Sequence, residues 1–107
     1  MTKADHDKLG ELGFKLLEEA IDELFWQYSY TGQSRELIVS WSLAEGSFQT
    51  TVKEGGDVLI RVCSEGLSEC HTSSDGIEAV FAFGNYRSSC RICIKPRLSV
   101  EWGTIRE

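Results

Sequence analysis

The chain has 107 residues, 41% of them hydrophobic and 26% charged, with a single proline, a composition that fits one domain over residues 1–107 and excludes a disordered or collagen-like chain. The formal net charge of −6 disfavours nucleic acid as a partner, because phosphate contacts dominate that kind of affinity, and favours a basic one. No apolar run approaches the roughly 20 residues of a membrane span, and Met1 to Lys8 is charged with no apolar core, so the expectation is a cytoplasmic protein without a membrane partner.

The first predicted element is a long amphipathic helix over Leu9–Tyr30. Leu9, Phe14, Leu16, Leu17, Ala20, Ile21, Leu24, Phe25 and Tyr28 fall on one side at helical spacing. The other side carries Glu11, Lys15, Glu18, Glu19, Asp22 and Glu23, with Trp26 one turn beyond Asp22 and Tyr30 one turn further. A tryptophan on the wet face is the anomaly of this reading. Thr2, Asp5 and Asp7 are all candidate caps. Gly10 and Gly13 each cost about 1 kcal/mol inside a helix, and Thr31-Gly32 ends it.

After Gly32 the period changes to two. Leu37, Val39, Trp41 and Leu43 form one face of a strand, Phe48, Thr50 and Val52 the inner face of a second, and Val58, Ile60 and Val62 one face of a third, opposite Leu59, Arg61 and Cys63. Turns at Ala44-Glu45-Gly46 and Gly55-Gly56-Asp57 make these an antiparallel meander. Ser64–Gly76 is polar and is expected to be the longest loop, carrying Cys70-His71. Ile77–Phe83 fits a strand with Ile77, Ala79, Phe81 and Phe83 on one face better than a short helix. Ser89–Lys95 alternates Cys90, Ile92 and Ile94 with Arg91, Cys93 and Lys95, and Leu98, Val100 and Trp102 continue an inward set after Pro96. The fold class expected is α+β, one long helix packed on a four- to six-stranded antiparallel sheet in two layers. Cystatin-like proteins share that element order, a likeness of architecture that no sequence motif accompanies.

The motifs of chemistry are sparse. Cys63, Cys70, His71, Cys90 and Cys93 contain one CxxC, but a spacing of three along a strand sends Cys90 and Cys93 to opposite faces, and no second CxxC accompanies it. The expectation is therefore no metal site, no cofactor and reduced thiols. No nucleophile elbow, phosphate loop or HExxH is present, so no catalytic residue is assigned.

Three surfaces remain. The acidic patch Glu19, Asp22, Glu23, Trp26 and Tyr30 is the candidate interface, because tryptophan and tyrosine anchor interfaces and carboxylates steer a basic partner. Arg61, Arg87, Arg91 and Lys95 could form an anion-binding sheet face, and Phe14, Tyr28, Trp41, Phe81 and Trp102 could line an apolar pocket between helix and sheet. The leading reading is a non-catalytic protein-interaction module that binds a basic protein or a second copy of itself as a homodimer. Small acidic bacterial immunity proteins and inhibitors work in this way, an analogy of size and charge. The alternative is a small-molecule binder or minor enzyme using that pocket.

Overall fold

The computed structural model describes residues 1–106. Among them the order is α1 (Lys3–Leu12), β1 (Lys15–Ala20), a 3-10 turn (Ile21–Glu23), β2 (Phe25–Thr31), β3 (Arg35–Ser42), β4 (Ser47–Glu54), β5 (Asp57–Glu65), β6 (Leu67–Thr72), β7 (Gly76–Phe83), β8 (Tyr86–Cys93) and β9 (Ser99–Arg106). The antiparallel α+β character is as expected. In place of one long helix on one sheet, however, there is one short helix and nine strands in two sheets.

The long helix is the main correction. The helix closes at Leu12, where Gly13 takes a φ of 102°, a left-handed conformation that suits glycine just past a helix end. Lys15–Ala20 is rich in helix formers, but that preference is a weak prior that strand pairing overrides. Its partner Phe25–Thr31 is largely aromatic, places Trp26, Tyr28 and Tyr30 at intervals of two, and suits a pleated surface. Ser64–Gly76 is likewise not a loop, since Leu67–Thr72 forms β6 within it.

The chain divides into two compact units. The first, Gly13–Glu65, is the meander β1-β2-β3-β4-β5. Its register aligns Trp26 with Trp41 and Phe48, and Tyr28 with Val39 and Thr50, on one face. Trp41 is the centre of this core: it is buried, with ring centroids of Tyr28, Phe48 and Trp26 at 5.7, 6.2 and 6.3 Å. Such aromatic pairs add about 0.5–1.5 kcal/mol each beyond area burial. Phe14 is buried against Tyr30, at 5.3 Å between centroids.

Both edge strands of this sheet are irregular. The β1–β2 register slips between Leu16 and Glu18, and the β4–β5 register slips at Val52/Lys53, leaving Leu59 outside the pairing. Bulges of this kind twist an edge away from further strand addition.

The second unit joins Met1–Leu12 to the chain from Gly66 onward, with the meander β6-β7-β8-β9. Its buried face aligns Cys70, Ala79 and Cys90, and Ile77 with Ile92, while Phe81 stacks on Trp102 at 5.5 Å. Gly76 sits where a Cβ would overlap the Ile92 carbonyl, so the β7–β8 pair closes only around a glycine there. Helix α1 is tied to β6 by side-chain bonds. Thr2 and Asp5 form a reciprocal cap, Asp5 N–H donating to Thr2 Oγ1 at 3.1 Å and Thr2 N–H to Asp5 Oδ2 at 2.9 Å. The other carboxylate oxygen of Asp5 accepts from Thr72. Among the described residues no helix is long and apolar enough to cross a membrane.

Candidate interaction surface

The acidic residues of the sequence reading lie on a strand and a turn. Glu19 is on β1 opposite Trp26, and Asp22 and Glu23 are in the 3-10 turn that links β1 to β2. Glu19, Asp22 and Glu23 are exposed and, with Ala20 and Ile21, line one open depression of about 340 Å³. Trp26 and Tyr30 are placed differently from the reading. Both belong to β2 on the aromatic face of the sheet, half-buried, so the anomaly of a tryptophan on a wet helix face disappears.

The turn is held firmly. Leu24 has a φ of 50° and its N–H donates to Ile21 O at 3.1 Å. The connection after β3 lies against it: Leu43 N–H donates to Leu24 O at 3.0 Å, and Ser42 Oγ donates to Glu23 O at 3.2 Å. Ser42 Oγ in turn accepts from Glu45 N–H at 3.2 Å. Two acidic connections are thus fastened together at one end of the five-stranded sheet. The sequence predicts the second of them as a turn at Ala44-Glu45-Gly46, but does not show that it lies beside the first.

The basic residues are divided between the two sheets. Arg61 is on β5 in the five-stranded sheet, where its Nε donates to Thr51 Oγ1 at 3.3 Å. Arg87 and Arg91 are on β8 in the four-stranded sheet, and Lys95 follows that strand. Arg91 lies 3.3 Å from Glu78, which also meets His71 at 3.3 Å, in a cross-strand row that continues to Glu101. That row is a solvent-accessible ladder of polar and charged side chains worth little per pair, and it places His71 beside a carboxylate.

Of the five aromatic pocket candidates, Phe14, Tyr28 and Trp41 belong to the first unit and Phe81 and Trp102 to the second. Tyr28 stacks on Trp41, Phe14 packs against Tyr30, and Phe81 stacks on the half-buried Trp102, so these rings pack against other rings within their own units.

The four thiols are free. Burial pushes Cys70 and Cys90 up to about 12 each; for Cys70 the nearby amino terminus works weakly downward and Asp5 upward, and for Cys90 the Cys70 thiol adds to the rise. Thiols so placed are poor nucleophiles and poor metal ligands at neutral pH. Cys63 is exposed and donates to Gln49 Oε1 at 3.1 Å. Among the described residues no group of three His, Cys, Asp or Glu comes together that could hold a metal ion.

No protein-family model matches the chain, and no curated protein matches it significantly. A solved chain from a contact-dependent growth inhibition toxin–immunity protein complex from Klebsiella pneumoniae 342 is similar in structure. The TM-score is 0.78 at 17% identity, over 94% of this chain and 93% of that one. At that identity the likeness is one of fold.

Proposed function

We propose that this chain is a non-catalytic binding protein of the immunity or inhibitor type, whose working partner is a basic protein. The observation that carries the reading is the fold it shares, over nearly the full length of both chains, with a chain taken from a toxin–immunity protein complex. The net charge of −6 and the exposed carboxylates Glu19, Asp22 and Glu23 supply the electrostatic side of it. Complementary charge speeds encounter and rejects wrong partners, while the affinity itself comes from apolar groups buried at the centre of a contact.

The test is a native mass spectrum of the protein purified gently from its own cells. A one-to-one complex with a second, basic protein supports the reading, and the mass identifies the partner. If that partner is toxic when expressed alone, co-expression with this chain should restore growth. A homodimer with no second protein, or a bare monomer, counts against a basic partner, and a monomer carrying a small-molecule adduct turns the reading to a ligand binder.

A further inference from the structure

We propose that the end of the five-stranded sheet formed by the β1–β2 and β3–β4 connections is the docking surface, and that it receives a cationic protein segment with an apolar side chain at its centre. The proposal deepens the reading of the chain as a protein-binding module and rests on it.

The surface has an apolar middle. Ile21 is 67% exposed, Leu24 43% and Leu43 38%, and the backbone bond from Leu43 to Leu24 puts the two connections side by side. Aliphatic side chains that stay this exposed on one rigid corner are a surface waiting for cover. The rim is acidic throughout: Glu19, Asp22, Glu23 and Glu45 are all exposed. No lysine or arginine occurs between Lys15 and Arg35, or between Arg35 and Lys53. Among the described residues none of these carboxylates has a cation partner within 4.0 Å. An apolar centre with a rim of a single sign is the anatomy of a protein interface, and the sign dictates a cationic partner.

The same sheet offers a second apolar exposure, Val58, Leu59 and Ile60 on β5, at 48, 50 and 56%. Its charges are mixed, with Asp57 before it and Arg61 after it, and the register slip leaves Leu59 unpaired, which disfavours strand addition. It does not select a partner by charge, whereas the acidic corner does. The anchors are therefore Ile21, Leu24 and Leu43, in place of the half-buried Trp26.

The test places the photo-crosslinker p-benzoylphenylalanine, one position at a time, at Ile21, Leu43, Ile60 and Phe83 of the full chain, with irradiation in its own cells. Far-ultraviolet circular dichroism confirms that each variant folds. Adducts from Ile21 and Leu43 to one protein, through a segment rich in lysine and arginine, are expected, with yields at least tenfold below these from Ile60 and Phe83. The paired substitution Asp22→Lys and Glu23→Lys should lower the Ile21 yield about tenfold. Adducts from Ile60 or Phe83 alone overturn this surface while leaving the binding-module reading standing. Adducts from Ile21 to an acidic segment, or to another copy of this chain, overturn the cationic partner. No adduct from any position removes the binding-module reading and this surface with it.

Discussion

Asp5 and Thr72, sixty-seven residues apart, meet through two hydrogen bonds: the Thr72 N–H and Oγ1 both donate to Asp5 Oδ1, at 3.1 and 2.6 Å. Partial burial works to raise the Asp5 carboxyl, but the bonds from Thr72 and Thr2 outweigh it and hold the group well below the ordinary carboxylate range. The folded chain therefore keeps this carboxylate ionised to lower pH than the unfolded chain does. Its stabilisation is complete above the unfolded value of about 3.9 and is lost as the pH falls toward the depressed folded value. Asp5→Ala should cost about 2 kcal/mol at pH 7, losing both cap and tie. Urea melts at pH 7, 4 and 3 should show the wild-type advantage over Asp5→Asn shrinking below pH 4; a constant gap would refute the linkage.

The thiols give a prediction at the other end of the pH scale. Because Cys70 and Cys90 are raised by burial to about 12, each favours folding fully below the unfolded thiol value of about 8.5 and loses that contribution as the pH climbs toward the folded one. Native protein at pH 8 should take iodoacetamide rapidly at the exposed Cys63 and more slowly at the half-buried Cys93, with Cys70 and Cys90 modified only after denaturation. Rapid native labelling of Cys90 would contradict its burial.

Two glycines should respond with opposite signs to the same substitution. Gly76→Ala forces a methyl into the Ile92 carbonyl and should cost about 3 kcal/mol or more, since backbone on both sides must move. Gly10 lies in α1 with nothing within 4 Å of an added Cβ, so Gly10→Ala should stabilise by about 1 kcal/mol. Thermal melts of the two variants decide both.

Leu24 separates stability from binding. A left-handed backbone costs a non-glycine residue about 1–2 kcal/mol, and Leu24 has a φ of 50°. Leu24→Gly relieves that strain while loosening the unfolded chain, for a net gain of up to about 1 kcal/mol. Leu24→Val, β-branched, should lose about 1 kcal/mol. On the docking proposal the glycine variant is at least as stable as wild type and yet binds the partner more weakly. Undiminished binding would take Leu24 out of the contact.

Much of the β-sheet region was legible because its alternation is unbroken. The strands carrying Leu37–Trp41, Phe48–Val52 and Ile77–Phe81 each show a clean period of two, and their turns carry glycine. What was hidden has a common cause, since β1 and β6 both contain a register slip, at Leu16/Glu18 and Leu67/Glu69. One extra residue moves every later side chain to the other face, and the alternation vanishes from the sequence. In β1 the loss was compounded by helix formers, so Leu16 to Leu24 looked helical. Two signals pointed the other way: Gly13 as a helix terminator, and Trp26, Tyr28 and Tyr30 at intervals of two. The acidic character of residues 19–23 was legible from composition. Its neighbour Leu43–Glu45 was not, because only the strand register brings the two turns together.

The slips at Leu17 and Leu59 bear on how such a protein can change over time. With both outer strands kinked, the docking proposal assigns recognition to side chains on two short connections rather than to the backbone of the sheet. Those positions contribute little to the aromatic centre around Trp41. A lineage built on this scaffold can therefore exchange one partner for another by rewriting half a dozen loop residues, while the residues that hold the scaffold together stay as they are.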